Sequence, residues 1–273
     1  MDRDLDILLR NTADIALRRR VSWLIKNLKP KNGERILDLG CGDGFYLYLL
    51  SHLDLKLILH GVDYDKHALN SAKKNLDPNK VKLSQADLMK RLPFSDEFFD
   101  GIVMSEVMEH LPDDIKGLKE VRRVLKKNGR LVLSVPHLNY PFSWDPINWI
   151  LQRSLKTHIN SGFWAGIWNQ HLRLYSDENL NSVLKISGFK DIKTKKLTHY
   201  CLPFNHHLIN LGARLLASKN APSIFKKKMS KFEQKNNTTS SFNPFWVIFK
   251  FDILNDSWNG IGGAVSLVAS AKK

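Results

Sequence analysis

Apolar positions in this chain recur first with helical spacing and then as short continuous runs. Residues 13–28 (ADIALRRRVSWLIKNL) put Ile15, Val21, Leu24, Ile25 and Leu28 roughly on one face, which predicts an amphipathic helix. The segment KPKNG that follows is a turn, and ERILDLG after it is an apolar run of the kind buried in parallel sheets. Further strands are expected at Leu57–Val62, Val81–Ser84, Phe99–Ser105 and Arg130–Val135, with helices at His67–Leu76 and Ile115–Leu125. The order β-α-β-α-β-β-α-β implies an α/β fold with a doubly wound, mainly parallel sheet. Phe189–Tyr200 and Gly263–Ala271 read as two late strands at its far edge, for seven in all.

Composition places the chain among globular proteins, with 43% hydrophobic and 25% charged residues in 273. No apolar run reaches the length of a spanning helix, and the start MDRDLDILLRNTADIALRRR is charged from its second residue, unlike a signal peptide. Cys41 and Cys201 have no metal-type spacing and suggest no disulfide framework. A cytoplasmic protein is expected. The organisation read from these patterns is a helical segment at 1–32, a core at 33–137, an aromatic insertion at 138–170 and a return helix and strand at 171–200. A basic insertion at 201–262 and a final strand at 263–273 complete it.

The net charge of +15 is unevenly placed. Residues 1–140 carry 24 Lys and Arg against 20 Asp and Glu, whereas residues 141–273 carry 18 against 7. Six of the seven tryptophans (Trp144, Trp149, Trp164, Trp168, Trp246 and Trp258) also fall in the second part. Basic residues among aromatics suit an anionic partner with an apolar or stackable component, a phospholipid surface or nucleic acid. A solvated basic exterior over a Trp-rich core gives the same composition.

Three segments carry candidate chemistry. Asp38-Leu39-Gly40-Cys41-Gly42-Asp43-Gly44 follows a strand and opens a helix at Phe45–Leu53, so its glycines can bring backbone and a helix N-terminus to a ligand. A dinucleotide fingerprint would have its third glycine where Phe45 stands, and Phe45 is expected to crowd a pyrophosphate. At the end of the next strand Asp63 lies 21 residues after Gly42, about the spacing at which an acid grips ribose hydroxyls, and Tyr64 can lie against an adenine ring. After the third strand, Asp87 can accept from an adenine amino group while the Leu88 backbone reads the ring edge.

Together, ILDLGCGDG, GVDYD, QADLMKRLPFSDEFFDGIVMSEVMEHL and LKEVRRVLKKNGRLVLSVP closely resemble the class I S-adenosylmethionine-dependent methyltransferases of the type 11 and 12 subgroup. The similarity covers about residues 33–200 and resumes at HLRLYSDENLNSVLKISGFKDIK. It implies a Rossmann-like core that binds S-adenosyl-L-methionine. By resemblance, Asp38, Gly40, Gly42 and Gly44 hold the methionine end, Asp63 the ribose, Tyr64 the adenine face, and Asp87 with Leu88 the adenine edge. Ser105 stands at the strand end beside the sulfonium. The expected reaction moves the methyl group to a small-molecule or lipid-linked acceptor at oxygen. An RNA methyltransferase and a non-catalytic cofactor-binding scaffold are the alternatives, the former without any visible RNA-binding module.

Glu106, Glu109 and His110 follow the fourth strand and would share one face if helical. This segment resembles the metal-binding segment of ubiquinone-biosynthesis O-methyltransferases and of small-RNA 2′-O-methyltransferases, in which a later histidine contributes; His171 stands at the matching place. Either the four residues hold a divalent ion that lowers the pKa of an acceptor hydroxyl, or the Glu109-His110 pair only braces the acceptor loop. His110, His171 and His137 are the candidate catalytic bases. The aromatic insertion at 138–170, whose sole acid is Asp145, is either a lid or, by analogy with the ubiquinone-pathway enzymes, a contact with an anionic membrane surface.

Overall fold

The computed structural model describes residues 2–9, 12, 14–201, 204, 211, 231–232, 252–257 and 262–273. Helices α1 (Asp2–Leu8) and α2 (Ile15–Leu28) precede the sheet. Asp14 starts α2 by accepting from the Ala16 and Leu17 N–H groups, and Lys29 ends it in the left-handed conformation. The α2 face formed by Val21, Leu24, Ile25 and Leu28 is fully buried. Burying each such side chain stabilises the fold by roughly 1.5–3 kcal/mol.

The chain then alternates through β1 (Arg35–Leu39), α3 (Phe45–Ser51), β2 (Ile58–Asp63), α4 (Lys66–Asn75), β3 (Val81–Gln85), β4 (Phe99–Ser105), α5 (Asp114–Val124) and β5 (Leu125–Pro136). After α6 (Pro146–Ser154) and α7 (Asp177–Ile186) come β6 (Lys190–Leu197) and β7 (Ser266–Lys272). The strands form one seven-stranded sheet in the order β3-β2-β1-β4-β5-β7-β6, with only β7 antiparallel to its neighbours. This is a Rossmann-like α/β fold. Strand order reverses between β1 and β4, so a crevice opens at their C-terminal ends, where such sheets bind ligands. Lysines 190, 193 and 195 are exposed on β6, where charge discourages pairing with another chain.

One expected element is absent. Glu106, Glu109 and His110 do not share a helix. The Glu106 N–H donates to the Ser134 carbonyl, and Glu106 takes φ +54°, so the chain kinks off the end of β4. Only a single 3-10 turn, Met108–His110, follows. Strand β5 begins five residues before Arg130, because Leu125 already pairs with Phe99.

The segment 138–170 holds α6 and a 3-10 stretch, Phe163–Trp168, broken at Gly166. Trp144, Ile167 and Trp168 are buried with Tyr140, Leu174, Val265 and Ala16 of α2 in a small core of their own. Trp149 is half-buried beneath the Arg153 guanidinium, and Trp164 is exposed. Most of the basic insertion expected at 201–262, with Trp246 and Trp258, lies outside the described residues. Among the described residues no helix is long and apolar enough to cross a membrane.

Candidate active site

The loop after β1 sits in the crevice at the strand-order reversal. Gly40 has φ +75°, and a Cβ there would stand 2.4 Å from Val107 Cγ2, so a side chain would push apart the loops after β1 and β4. Gly42 has φ +53° and faces open space, the position from which backbone can meet a ligand. Gly44 caps α3 and packs toward Leu76, which caps the C-terminal end of α4.

Phe45 does not occupy the ligand side of the loop. Its ring is buried, 5.6 Å and edge-on from Phe232, so the crowding of a pyrophosphate expected from its position does not arise. The side chain turns into the core because α3 is buried on all sides, from Phe45 through Leu50.

Asp38 is fully buried at the end of β1, and its Oδ2 has no hydrogen-bond partner among the described residues. Burial, with Asp63 and Asp43 nearby, pushes its pKa up to about 8. A buried carboxylate in that state fits a cationic ligand group, as the ammonium of S-adenosylmethionine would be. Asp63 Oδ2 accepts from the Gly42 N–H at 2.8 Å and Oδ1 from the Asp65 N–H at 2.9 Å, so the carboxylate ties the loop to β2. Tyr64 is 74% exposed beside it. Asp87 is half-buried and accepts from the Met89 N–H, and Leu88 is buried.

Ser105 lies within a buried hydroxyl chain. Tyr46 and Ser105 are 2.9 Å apart, Ser105 and Ser134 likewise, and Ser134 donates to Glu106 Oε1 at 2.8 Å. Because the Ser134 proton goes to Glu106, the chain runs from Tyr46 through Ser105 to Ser134. Arg20 of α2 approaches from the other side, its Nη1 3.5 Å from Glu106 Oε2 and 3.1 Å from Ser266 Oγ. Arg20 escaped the sequence reading, since three consecutive arginines in a helix carry no mark of which one turns inward.

A cavity of about 220 Å³ opens here, lined by Asp14, Arg20, Glu106, Trp144, Ile167 and His171 among others. A larger, open concavity of about 790 Å³ around Lys56, Lys80 and Lys82 lies at the opposite ends of β2 and β3.

His171 and His110 each place Nε2 3.8 Å from Glu109 Oε1, with their rings 4.8 Å apart and edge-on. Glu109 is fully buried, neither of its oxygens has a hydrogen-bond partner among the described residues, and burial holds its pKa well above the usual range. His110 Nδ1 stands 2.9 Å from the Gln170 carbonyl; donating there leaves Nε2 as the lone-pair nitrogen toward Glu109. Glu109, His110 and His171 offer ligand atoms within 4.8 Å of one another, a donor set that fits a divalent transition ion. Glu106 is not part of it; the kink after β4 directs it to Ser134 and Arg20.

His137 is also separate. It is buried, with Nε2 3.4 Å from Asp177 Oδ2 and Nδ1 3.2 Å from the Asn139 carbonyl, and burial lowers its pKa. Nε2 ties the end of β5 to α7 and Nδ1 is taken up by its own loop, so the geometry does not support His137 as a base.

A family model described as "Methyltransferase domain" matches residues 37–133. The chain is 24% identical over 222 residues to 2-methyl-6-phytyl-1,4-hydroquinone methyltransferase 1 of Oryza sativa, covering 81% of this chain and 60% of that one. It is 31% identical over 123 residues to a ubiquinone/menaquinone biosynthesis C-methyltransferase of Geotalea uraniireducens, covering 42% and 52%. The chain thus spans about half to three-fifths of the length of these curated relatives. A SAM-dependent methyltransferase structure from Archaeoglobus fulgidus shares the fold at a TM-score of 0.54 and 20% identity, covering 94% and 93%. The glycine loop at the strand-order reversal, the buried acids beside it and the matched segment agree: residues 37–133 match a methyltransferase domain, set on a Rossmann-like fold shared with S-adenosylmethionine-dependent methyltransferases.

Proposed function

We propose that this protein transfers a methyl group from S-adenosylmethionine to a small, ionisable acceptor of the hydroquinone or phenol class, bound in the cavity between α2 and the segment 138–170. The observation that carries this reading is the position of that cavity. Its wall includes Glu106, and the next residue, Val107, packs on Gly40 of the cofactor loop. The cofactor supplies an activated methyl on a sulfonium that leaves as a neutral thioether. The chain's own task is therefore alignment and exclusion of water. Asp38 and the loop from Gly40 to Gly44 would hold the methionine end, Asp63 and Tyr64 the nucleoside, and Asp87 with Leu88 the adenine edge. Trp144 and Ile167 shield the acceptor side.

Oxygen is the acceptor atom we favour, because a hydroxyl beside His171 and Glu106 can be deprotonated and aligned. The Geotalea relative, a C-methyltransferase, favours a second outcome, methylation at ring carbon. Both begin from the same oxyanion, which places charge on the oxygen and on the adjacent ring carbon. Incubation with labelled S-adenosylmethionine and a panel of hydroquinones, followed by mass spectrometry of the products, distinguishes a methyl ether from a ring-methylated product. Absence of S-adenosylhomocysteine binding would refute the methyltransferase reading itself.

Glu109, His110 and His171 would hold a divalent ion, which would supply Lewis-acid lowering of an acceptor hydroxyl's pKa. The partnerless buried oxygens of Glu109 favour this over simple bracing.

A lipid-linked acceptor reached at an anionic membrane surface is supported by the exposed side of the segment 138–170. Phe142, Leu155 and Trp164 are exposed in it, as are Arg153 and Lys156, while Asp145, the segment's only acid, is fully buried. An apolar and basic face without exposed acid suits anionic headgroups.

A further inference from the structure

Arg20 is a charged side chain at the acceptor cavity whose chemistry the proposed reaction leaves unused. It comes from α2, 86 positions before Glu106, and its side chain is only 13% exposed. Its Nη1 reaches Ser266 and Glu106, but its Nε is buried without a hydrogen-bond partner among the described residues. A guanidinium donor left unpaired inside a fold is costly, and folds keep such groups where something else completes them.

The carboxylates at the cavity do not complete it. Asp14 is spent on the N–H groups of Ala16 and Leu17 at 2.9 and 3.2 Å. Glu106 is fixed by the Ser134 hydroxyl and by its own backbone bond to the Ser134 carbonyl, which leaves its second oxygen 3.5 Å from Arg20. The guanidinium is thus held in place but not saturated.

We propose that Arg20 is a specificity-determining residue that selects an acceptor bearing an ionised oxygen, with Glu106 as the positioning residue that holds the guanidinium for that contact. The inference rests on the methyltransferase reading of the same site and narrows its substrate class to oxyanions. The acceptor's hydroxyl proton leaves to water as the oxygen pairs with Arg20. That pairing serves methylation at oxygen and at ring carbon alike, because both need the electron-rich anion. An amine acceptor would instead be repelled by Arg20.

Isothermal titration of the full chain saturated with S-adenosylhomocysteine tests this with three probes of similar size. These are 4-nitrophenol, its non-ionisable ether 4-nitroanisole, and the cation 4-nitrobenzylamine. The phenol should bind on the order of 10-fold or more tighter than the ether, and its absorption should show the bound phenolate. Arg20→Gln should erase that preference and Arg20→Lys should retain part of it, with S-adenosylhomocysteine affinity unchanged in both. The wild-type comparison stands even if a variant fails to fold. Equal binding of phenol and ether by the wild type, including binding of neither, overturns the proposal. So does a preference that survives in Arg20→Gln, or tighter binding of the amine. Loss of S-adenosylhomocysteine binding by the wild type overturns the methyltransferase reading as well, and is read separately.

Discussion

The Gly42 N–H donates to Asp63 Oδ2 at 2.8 Å, so the loop after β1 is fastened to the end of β2 by the acid expected to serve the ribose. One carboxylate shapes the loop and, in the proposed reading, faces the nucleoside, which would make the two roles inseparable by mutation. Asp63→Ala should weaken S-adenosylhomocysteine binding by about 10- to 100-fold from the micromolar range. Gly42→Val should do the same for another reason: φ +53° is strained for a branched side chain, which would also enter the open space beside the loop. Calorimetry on both variants checks this, with NAD as a control that should not bind. Unchanged affinity in both would remove the loop from the cofactor site.

Asp38 gives the ligand-free protein a specific pH dependence. Its folded pKa of about 8 lies above the unfolded value of about 3.9. Between those values the folded state holds a proton that the unfolded state has lost, so this contribution to stability is full below about pH 4 and lost as pH rises toward about 8. Asp38→Asn removes the titration without changing shape. The variant should therefore gain in Tm over wild type as pH rises from 5 to about 8. Saturation with S-adenosylhomocysteine, whose ammonium offers Asp38 a cation, should narrow the gap. Melting curves at four pH values decide it, and parallel curves for the two proteins would count against a strained Asp38.

For the metal, cobalt(II) is a convenient probe because its visible spectrum reports the ligand set. Wild-type protein should bind one equivalent. Glu109→Gln and His171→Ala should each lower the affinity by at least about 10-fold, whereas Glu106→Gln should not. Chelation should reduce methyl transfer, and a divalent ion should restore it. If cobalt does not bind, Glu109, His110 and His171 are left with the bracing role.

The segment 138–170 depends on one close approach. A Cβ at Gly166 would lie 1.8 Å from Asp145 Oδ2, which accepts from Asn148 Nδ2 at 2.8 Å and from the Ile167 N–H at 3.0 Å. Gly166→Ala should thus cost on the order of 1–3 kcal/mol in this segment, through φ/ψ strain and the broken buried network. Hydrogen exchange should rise across 145–168 and acceptor turnover should fall, with S-adenosylhomocysteine binding unaffected. Exchange spread over the whole sheet would mean that the segment is part of the main core.

At the membrane, cosedimentation should show binding to anionic liposomes over neutral ones, weakening with salt, since each basic residue near the surface contributes on the order of 1 kcal/mol. Trp164→Ala should reduce binding more than Trp149→Ala, because Trp164 is 49% exposed and Trp149 is half-covered by Arg153. A steep log-linear loss of RNA binding with salt, with no binding to liposomes, would favour the nucleic-acid alternative.

The sheet and the cofactor loop were legible in the sequence because both are encoded locally. A buried strand needs a short apolar run, and Gly40 and Gly42 mark a turn within five residues of β1. The acceptor side was not legible, because its groups meet only through the fold. Glu109 and His171 are 62 positions apart, and Arg20 reaches Glu106 only after α2 packs across β5 and β7. Helical periodicity even pointed the wrong way at Glu106, since a single backbone hydrogen bond to Ser134 turns that residue left-handed and separates it from Glu109 and His110. Periodicity records which face of an element meets the core; which polar side chains converge beyond its ends depends on the register of neighbouring strands, and tertiary packing alone decides that.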